Sequence, residues 1–174
     1  MQYLNQYYKS SPLLTSLFTL IAAVLFPILV HLAPPVQGTP IGAILLPMFY
    51  VPLIALILLG KTPALAAAAL SPALNFLISG NEQLSLMLLL TIELIVFTLS
   101  LAYLKHKLGN GWAVLPSILL AKVIGAAGIF WLNFLPLTPI DYFFNSLYTG
   151  LPGIIILFIL GLTVPGIGEK SGKN

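Results

Sequence analysis

The stretch from Met87 to Leu99 reads MLLLTIELIVFTL, and it decides how the chain can fold. It is apolar apart from two threonines and one carboxylate, Glu93. The run around it is close to the ~20 residues that a helix needs to cross ~30 Å of hydrocarbon. The sequence therefore predicts a transmembrane helix here, with a charge inside it that needs a partner.

The composition of the whole chain agrees with this prediction. The 174 residues are 59% hydrophobic and only 6% charged, and the mean hydropathy is +1.07. Because a soluble domain carries roughly a quarter charged residues, we predict an integral membrane protein in a lipid bilayer. The chain has no cysteine, which excludes disulfides and thiolate chemistry. Its net charge of +3 indicates membrane topology, and no nucleic-acid partner is expected.

Six apolar segments predict an all-α membrane protein with six transmembrane helices in a single domain, residues 1–174. Their approximate bounds are 13–33, 41–59, 63–80, 84–104, 112–132 and 143–164. The first segment is too long for the apolar part of a cleaved signal peptide, so we expect it to remain as a helix. Pro47 and Pro52 predict a kink in the second segment, which either is ordinary or shapes a cavity.

The lysines outside these segments predict the orientation of the bundle. With six spans, all of them fall on one side of the membrane, and that side is expected to be cytoplasmic. Both termini are then cytoplasmic as well. The lysines concerned are Lys9, Lys61, Lys105, Lys107, Lys170 and Lys173.

Two ionisable residues lie deep inside the predicted spans, Glu93 in the fourth and Lys122 in the fifth. Counted at helical rise, they lie ~13 Å and ~15 Å below the outer membrane surface. A lone charge at that depth is costly, so we predict that the two side chains face each other or a shared wet cavity. Two interpretations stay open: a buried ion pair that fixes helix register, or a pair that binds a polar ligand. A proton relay is disfavoured because the spans contain only one carboxylate.

Other polar residues collect in the outward half of the predicted bundle. Asn75 lies below the outer end of its helix and must bond something inside, while Gln37 and Asn133 lie nearer the outer surface. With neighbouring aromatic residues, they predict an outward-opening cavity for a small, polar and partly flat molecule. His31, near a helix end, is interpreted as an interfacial residue rather than a ligand.

Two stripes of small residues run along predicted helices. Thr15, Thr19 and Ala23 recur every four residues, which lets another helix approach, either within the chain or from a partner subunit. On the fifth helix, small residues follow Lys122 at helical spacing, with helix packing as the commoner explanation and room for a ligand as the other.

Several motifs together resemble the substrate-binding S component of energy-coupling factor (ECF) vitamin transporters. The stretch GAILLPMFYVPLIALILLGKTPALAAAALSPALNFLISG, residues 42–80, is similar to that family's second and third helices. TIEL around Glu93 is similar to the start of the fourth helix, and GLPGIIILFIL, residues 150–160, to the opening of the sixth. Lys122 stands where many members have an arginine, and Phe49 stands where many have a polar residue after Leu-Pro-Met.

The resemblance implies a subunit that captures a vitamin or similar micronutrient outside a prokaryotic cell, in the inner membrane. Its implied partners are a transmembrane coupling subunit and two cytoplasmic ATPase subunits. The family's site is built from helices four to six and the first outer loop, which implies roles for Glu93, Lys122, Asn133 and Gln37. The small-residue motif implies docking of the coupling subunit at Thr15, Thr19 and Ala23. With lysine in place of arginine, bidentate capture of a carboxylate is less expected.

Three other functions compete with substrate capture. An enzyme is not expected, because His31 and His106 lie on opposite predicted sides and neither has a carboxylate pair beside it. Neither a cofactor nor a metal site is predicted. A self-sufficient small transporter or channel stays open and would work without ATP. A structural or assembly protein without a ligand is the remaining alternative.

Overall fold

The computed structural model describes residues 11–80, 83–132 and 137–164. These residues form helices, with one isolated bridge between Val36 and Thr39 in a loop. The helices, in chain order, are α1 (Pro12–His31), α2 (Ile41–Leu45), a 3₁₀ turn (Pro47–Phe49), α3 (Tyr50–Leu58), α4 (Lys61–Ser79), α5 (Leu84–Leu108), α6 (Asn110–Leu132), α7 (Pro139–Thr149) and α8 (Leu151–Thr163).

The helices have the lengths and composition of a multi-pass membrane protein. Helices α1, α4, α5 and α6 are each long and apolar enough to cross a membrane. Helices α7 and α8 pass the same test together as a broken span, bent by 61°. The apolar stretch Pro47–Leu58 is shorter than a full span. The structure thus gives four spans, or five with the bent pair, while the predicted sixth span and the orientation stay predictions.

The second predicted segment is divided, as its prolines indicated. Helix α2 ends at Leu45, and the next residue, Leu46, has a left-handed backbone at φ 52° and ψ 47°. Pro47 follows at once and has no N–H with which to continue the helix. The chain makes a 3₁₀ turn and resumes as α3 at Tyr50. A non-glycine residue in this conformation costs about 1–3 kcal/mol, so the packing around it must hold the break in place.

The last predicted segment begins earlier than the sequence suggested. Helix α7 starts at Pro139 and not near residue 143, because the Thr138 side chain caps it by accepting a bond from the Asp141 N–H at 3.1 Å. The helix then breaks at Gly150. A Cβ placed on Gly150 would lie 3.0 Å from Leu46 Cδ1, so the two breaks pack against each other.

The helices pack mainly on their neighbours in sequence. Helices α5 and α6 form an antiparallel hairpin joined through Gly109 alone, and α1 packs along α4. Helix α8 crosses α6 closely, since a Cβ on Gly161 would lie 2.9 Å from the Gly111 Cα. The core between α3, α5, α6 and α8 is apolar and includes Phe49, Leu53, Leu56, Phe97, Val114, Ile118 and Leu157.

The bundle has two chemically different ends. Lys61, at the start of α4, and Lys107, near the end of α5, border one pocket and define what we call the lysine end. The opposite end, where α1 and α4 finish at His31 and Ser79, is called the cavity end. Lys61 and Lys107 therefore lie at the same end of the bundle, as the sequence predicted for these two lysines.

The small-residue stripe on α1 is largely enclosed by the chain itself. Thr19 is 6% exposed and Ala23 only 1%, while Thr15 is half-buried. The Thr19 hydroxyl donates to the Thr15 carbonyl at 2.8 Å. These contacts agree with packing within the chain, and partner docking through the stripe stays a prediction.

Candidate functional site

The two charges inside the predicted spans meet each other. Lys122 Nζ lies 2.7 Å from Glu93 Oε2, and the two side chains are 4% and 0% exposed. Glu93 comes from the middle of α5 and Lys122 from the middle of α6, at matching heights in the hairpin. The predicted pairing is confirmed, while the predicted role in binding a ligand is a separate question.

Tyr142, on α7, completes this buried group. Its hydroxyl donates to Glu93 Oε1, and Lys122 Nζ lies 3.4 Å from the same hydroxyl oxygen. A carboxylate can only accept, so the tyrosine must supply the proton of that bond. Both oxygens of Glu93 are thereby bonded to side chains. We refer to Glu93, Lys122 and Tyr142 as the buried triad.

A glycine on α6 makes room for the carboxylate. A Cβ placed on Gly125 would lie 2.5 Å from Glu93 Oε1, a distance that real Cβ atoms do not adopt. Gly125, Ala126 and Ile129 are all buried on the face that continues from Lys122. Of the two interpretations of this stripe, close helix packing is the one that the structure supports.

A cavity of about 460 Å³ adjoins the triad at the cavity end of the bundle. Lys122 and Tyr142 line it, whereas Glu93 does not and so stands behind them. The remaining lining comes from the end of α1, the broken second segment, the start of α5 and α7: His31, Thr39, Pro40, Gly42, Ala43, Leu46, Pro47, Met48, Phe49, Leu86, Leu90, Leu137, Asn145, Ser146 and Thr149. We call this space the central cavity. Its wall includes the residues on both sides of the Leu46 break.

Aromatic rings flank the ammonium group of Lys122. The group lies 5.7 Å from the centre of the Phe49 ring and 5.5 Å from that of Tyr142. Such ring faces attract a cation. Phe49 is itself held edge-on against Phe97, at 5.2 Å between ring centres. Phe49 thus forms part of the cavity wall beside Lys122.

A second cavity of about 470 Å³ lies beside the first and shares His31, Met48, Leu86 and Leu90 with it. Asn75 lines this second cavity and donates from Nδ2 to the Val24 carbonyl at 3.2 Å. The prediction that this amide must bond something inside is confirmed.

The remaining candidates from the sequence do not join the triad. Gln37 is exposed in the loop before α2, with φ 49°, and is not among the residues lining either cavity. Asn133 lies outside the described residues.

Two residues that line the central cavity were not predicted as site residues: Tyr142, and His31, which the sequence indicated as interfacial. Tyr142 counted only as one of several outward aromatics, although the Thr138-Pro139-x-Asp141 cap signal would have placed it one turn inside a helix. His31 lines both cavities, and its Nδ1 lies 2.7 Å from the Pro27 carbonyl oxygen. The other ring nitrogen, Nε2, takes no part in that bond and lies next to Gly42.

The site offers a hydrogen-bond donor to a molecule in the central cavity. Among the described residues, no group of three histidine, aspartate or glutamate side chains could hold a metal ion. An ammonium group has three N–H donors. Glu93 takes one of those of Lys122 and the Tyr142 oxygen lies near another, so one remains for a molecule in the central cavity.

Comparisons with models of protein families, with characterised proteins and with solved structures found no match to this chain.

Proposed function

We propose that this chain is the substrate-capture subunit of an ATP-driven importer of the energy-coupling factor type, binding a vitamin or similar micronutrient from outside the cell. One observation carries the proposal: a mostly apolar cavity in a membrane bundle adjoins the buried triad, and Lys122 and Tyr142 of the triad line that cavity. The cavity supports ligand binding. The proposed coupling to ATPases rests on the resemblance of the sequence motifs.

The dimensions of the central cavity suit a small molecule. Ligand sites typically enclose 300–1,000 Å³, with mostly apolar walls and a few polar groups that fix orientation. The central cavity, at about 460 Å³, falls in that range. An ion pair that served only to hold two helices together would need no cavity beside it.

The charges of the triad indicate what kind of ligand would fit. Glu93 cancels the charge of Lys122, so the site as a whole is neutral. An anionic ligand would meet a carboxylate within a few ångströms of its own charge. A neutral ligand that offers a carbonyl oxygen or ring nitrogen to Lys122 avoids this repulsion. A flat ring on the ligand would pack against Phe49 and Tyr142.

The first experiment asks whether the chain holds a small molecule. The full chain is purified in mild detergent and examined by native mass spectrometry, which identifies a bound mass directly. We expect a retained micronutrient in the wild type and its loss in Ala43→Phe, which fills the central cavity from its wall, and in Lys122→Met. Lys107→Met at the lysine end is the matched control and should keep the ligand. An empty wild-type protein that no micronutrient stabilises would refute substrate capture.

The second experiment separates the proposal from its main alternative. Proteoliposomes containing the chain with a coupling subunit and two ATPases should accumulate the identified ligand only with ATP. Equal uptake by the chain alone, without ATP, would favour a self-sufficient transporter or channel. In the same system, Thr15→Leu tests the docking prediction at the half-buried residue of the stripe. It should reduce co-purification of the ATPases while leaving ligand binding intact.

A third measurement tests the predicted orientation. A membrane-impermeant amine reagent should label Lys61 and Lys107 from the cytoplasmic side of oriented membranes. Labelling of these lysines from outside would direct the central cavity towards the cytoplasm and contradict capture from outside.

A further inference from the structure

The lysine end has a pocket of its own, which shares no lining residue with the central cavity. It encloses about 280 Å³ between α3, α4 and α5. Its lining combines two lysines and a histidine with apolar side chains: Leu56, Lys61, Leu65, Thr98, Leu99, Ala102, Tyr103, His106 and Lys107. We call it the basic pocket. Nothing in the proposed transport function requires it.

The positive charges around the basic pocket are not neutralised by the described part of the chain. The structure describes two carboxylates, and neither lines the basic pocket. Glu93 is paired in the triad, and Asp141 bonds Thr138 at the opposite end of the bundle. Lys61 and Lys105 are close enough for their charges to repel each other. A cluster of like charges at one rim is stabilised by an anion placed between them.

Lys107 is exposed, but Tyr103 holds its ammonium group at the rim of the pocket. Lys107 Nζ donates to the Tyr103 hydroxyl at 3.0 Å and lies 4.8 Å above that ring. Lys61 is the first residue of α4, whose preceding Gly60 provides no side-chain cap. The uncapped N–H groups there add partial positive charge to the same rim. Lys105 differs, because its Nζ donates to the Leu56 carbonyl at 3.1 Å and it does not line the pocket.

The other wall of the basic pocket is apolar and open to the side of the bundle. Leu99 and Tyr103 are 51% and 63% exposed there, one helical turn apart on α5. In a helix of this apolar character, Leu99 would face hydrocarbon and Tyr103 the headgroup level. The pocket therefore has a charged rim and a lipid-facing apolar wall in one continuous surface.

We propose that the basic pocket binds the phosphate of an anionic phospholipid between Lys61 and Lys107, with an acyl chain lying along Leu99. Basic pockets between transmembrane helices are suited to acidic lipid headgroups. A free phosphate ion would use the rim but gain nothing from the apolar wall, which is why the two-part surface favours a lipid.

The test titrates the full chain, in a neutral detergent, with dioleoyl phosphatidylglycerol and with dioleoyl phosphatidylcholine, and counts bound lipids by native mass spectrometry. We expect phosphatidylglycerol to bind at least tenfold more tightly than phosphatidylcholine. Lys61→Gln and Lys107→Gln should each weaken its binding about fivefold, and together about 25-fold. Both lysines are exposed, so these variants are expected to fold. Melting temperatures equal to that of the wild type, measured with phosphatidylcholine present, would verify this.

Lys105→Gln is the control for a general electrostatic effect, because it removes the same charge from the same end without altering the pocket lining. It should weaken phosphatidylglycerol binding less than twofold. Equal losses in Lys105→Gln and Lys61→Gln, or equal binding of the two lipids, would overturn the proposal. So would displacement of the lipid by inorganic phosphate at the same concentration, which would identify a phosphate site without a lipid component.

Discussion

The two ends of the bundle treat charge in opposite ways. At the cavity end, Glu93 and Lys122 are buried, paired and bonded to Tyr142. At the lysine end, Lys61 and Lys107 are exposed, and no described carboxylate neutralises them. Burial forces partners on a charge, whereas exposure leaves it available for a molecule from outside the chain. Lysine is therefore paired within the chain at the cavity end and available to an anion at the lysine end.

The backbone also differs between the two ends. Near the central cavity the helices break at Leu46 and at Gly150, and these breaks touch. Towards the lysine end, α6 and α8 cross at glycine-to-glycine distance without interruption. The close crossing leaves no space between α6 and α8, whereas the broken second segment borders the central cavity. Four sets of substitutions test how the two ends differ.

The largest effect is expected from unpairing the triad's charges. Glu93→Gln or Lys122→Met alone leaves an uncompensated buried charge and should destabilise the protein by about 3–5 kcal/mol. The double variant should lose clearly less than the sum. Stability in mild detergent, followed as a double-mutant cycle, measures this. Additive losses would show that the pair has no energetic coupling, and the contrast between the ends would fail.

Tyr142→Phe should have the next largest effect. It removes the donor to Glu93 Oε1 and leaves a charged oxygen unsatisfied in a buried site, which is expected to cost about 2–3 kcal/mol. Ligand binding to the central cavity should weaken as well, because Tyr142 lines it. Thermal unfolding and ligand titration measure the two effects. Tyr103→Phe, which alters an exposed hydroxyl at the lysine end, is the control and should leave stability nearly unchanged.

Gly125→Ala tests the close approach of α6 to the carboxylate. The added Cβ would collide with Glu93 Oε1 and should cost about 1–2 kcal/mol through displacement of the triad. Gly128→Ala is the matched control one turn along the same helix, because nothing lies within 4 Å of its Cβ position. It should be neutral or slightly stabilising, since alanine favours helices. Equal behaviour of the two variants would contradict the packing described for Glu93.

The smallest of the four effects is expected from Asn75→Ala. It deletes the hydrogen bond to the Val24 carbonyl, which links α4 to α1, and should cost about 1 kcal/mol. Proteolysis of α1 in detergent would report the loosened contact. A loss comparable with that of the triad variants would mean that the second cavity, not the first, contains the energetically dominant polar group.

Much of the triad could be predicted by counting along the chain. The lengths of the apolar runs fixed the heights of Glu93 and Lys122, and the high cost of an unpaired intramembrane charge required a partner. The small residues after Lys122 likewise predicted close packing on that face. These inferences succeed because helical rise and charge burial depend on local sequence and on the surrounding medium, both of which the sequence provides.

The breaks in the helices were harder to predict. Leu46 adopts a left-handed conformation that leucine rarely takes, so only the following Pro47 gave a signal. The role of Tyr142 depends on where α7 starts and on the 61° bend after it. Pro152, two residues after Gly150, marks the break locally, but the angle depends on how Gly150 packs against Leu46, which no local pattern specifies. The same reason explains why Gln37, placed by analogy in the site, lies outside it.

The single-residue link at Gly109 has a consequence for how the protein reaches the membrane. Because Glu93 and Lys122 sit at equal heights on helices that follow each other directly, they can neutralise one another within one helical hairpin. Insertion of that hairpin as a unit would spare the bilayer from ever receiving a bare carboxylate or a bare ammonium group. Helices α5 and α6 would then enter the membrane together, because the charge on each helix is neutralised by the charge on the other.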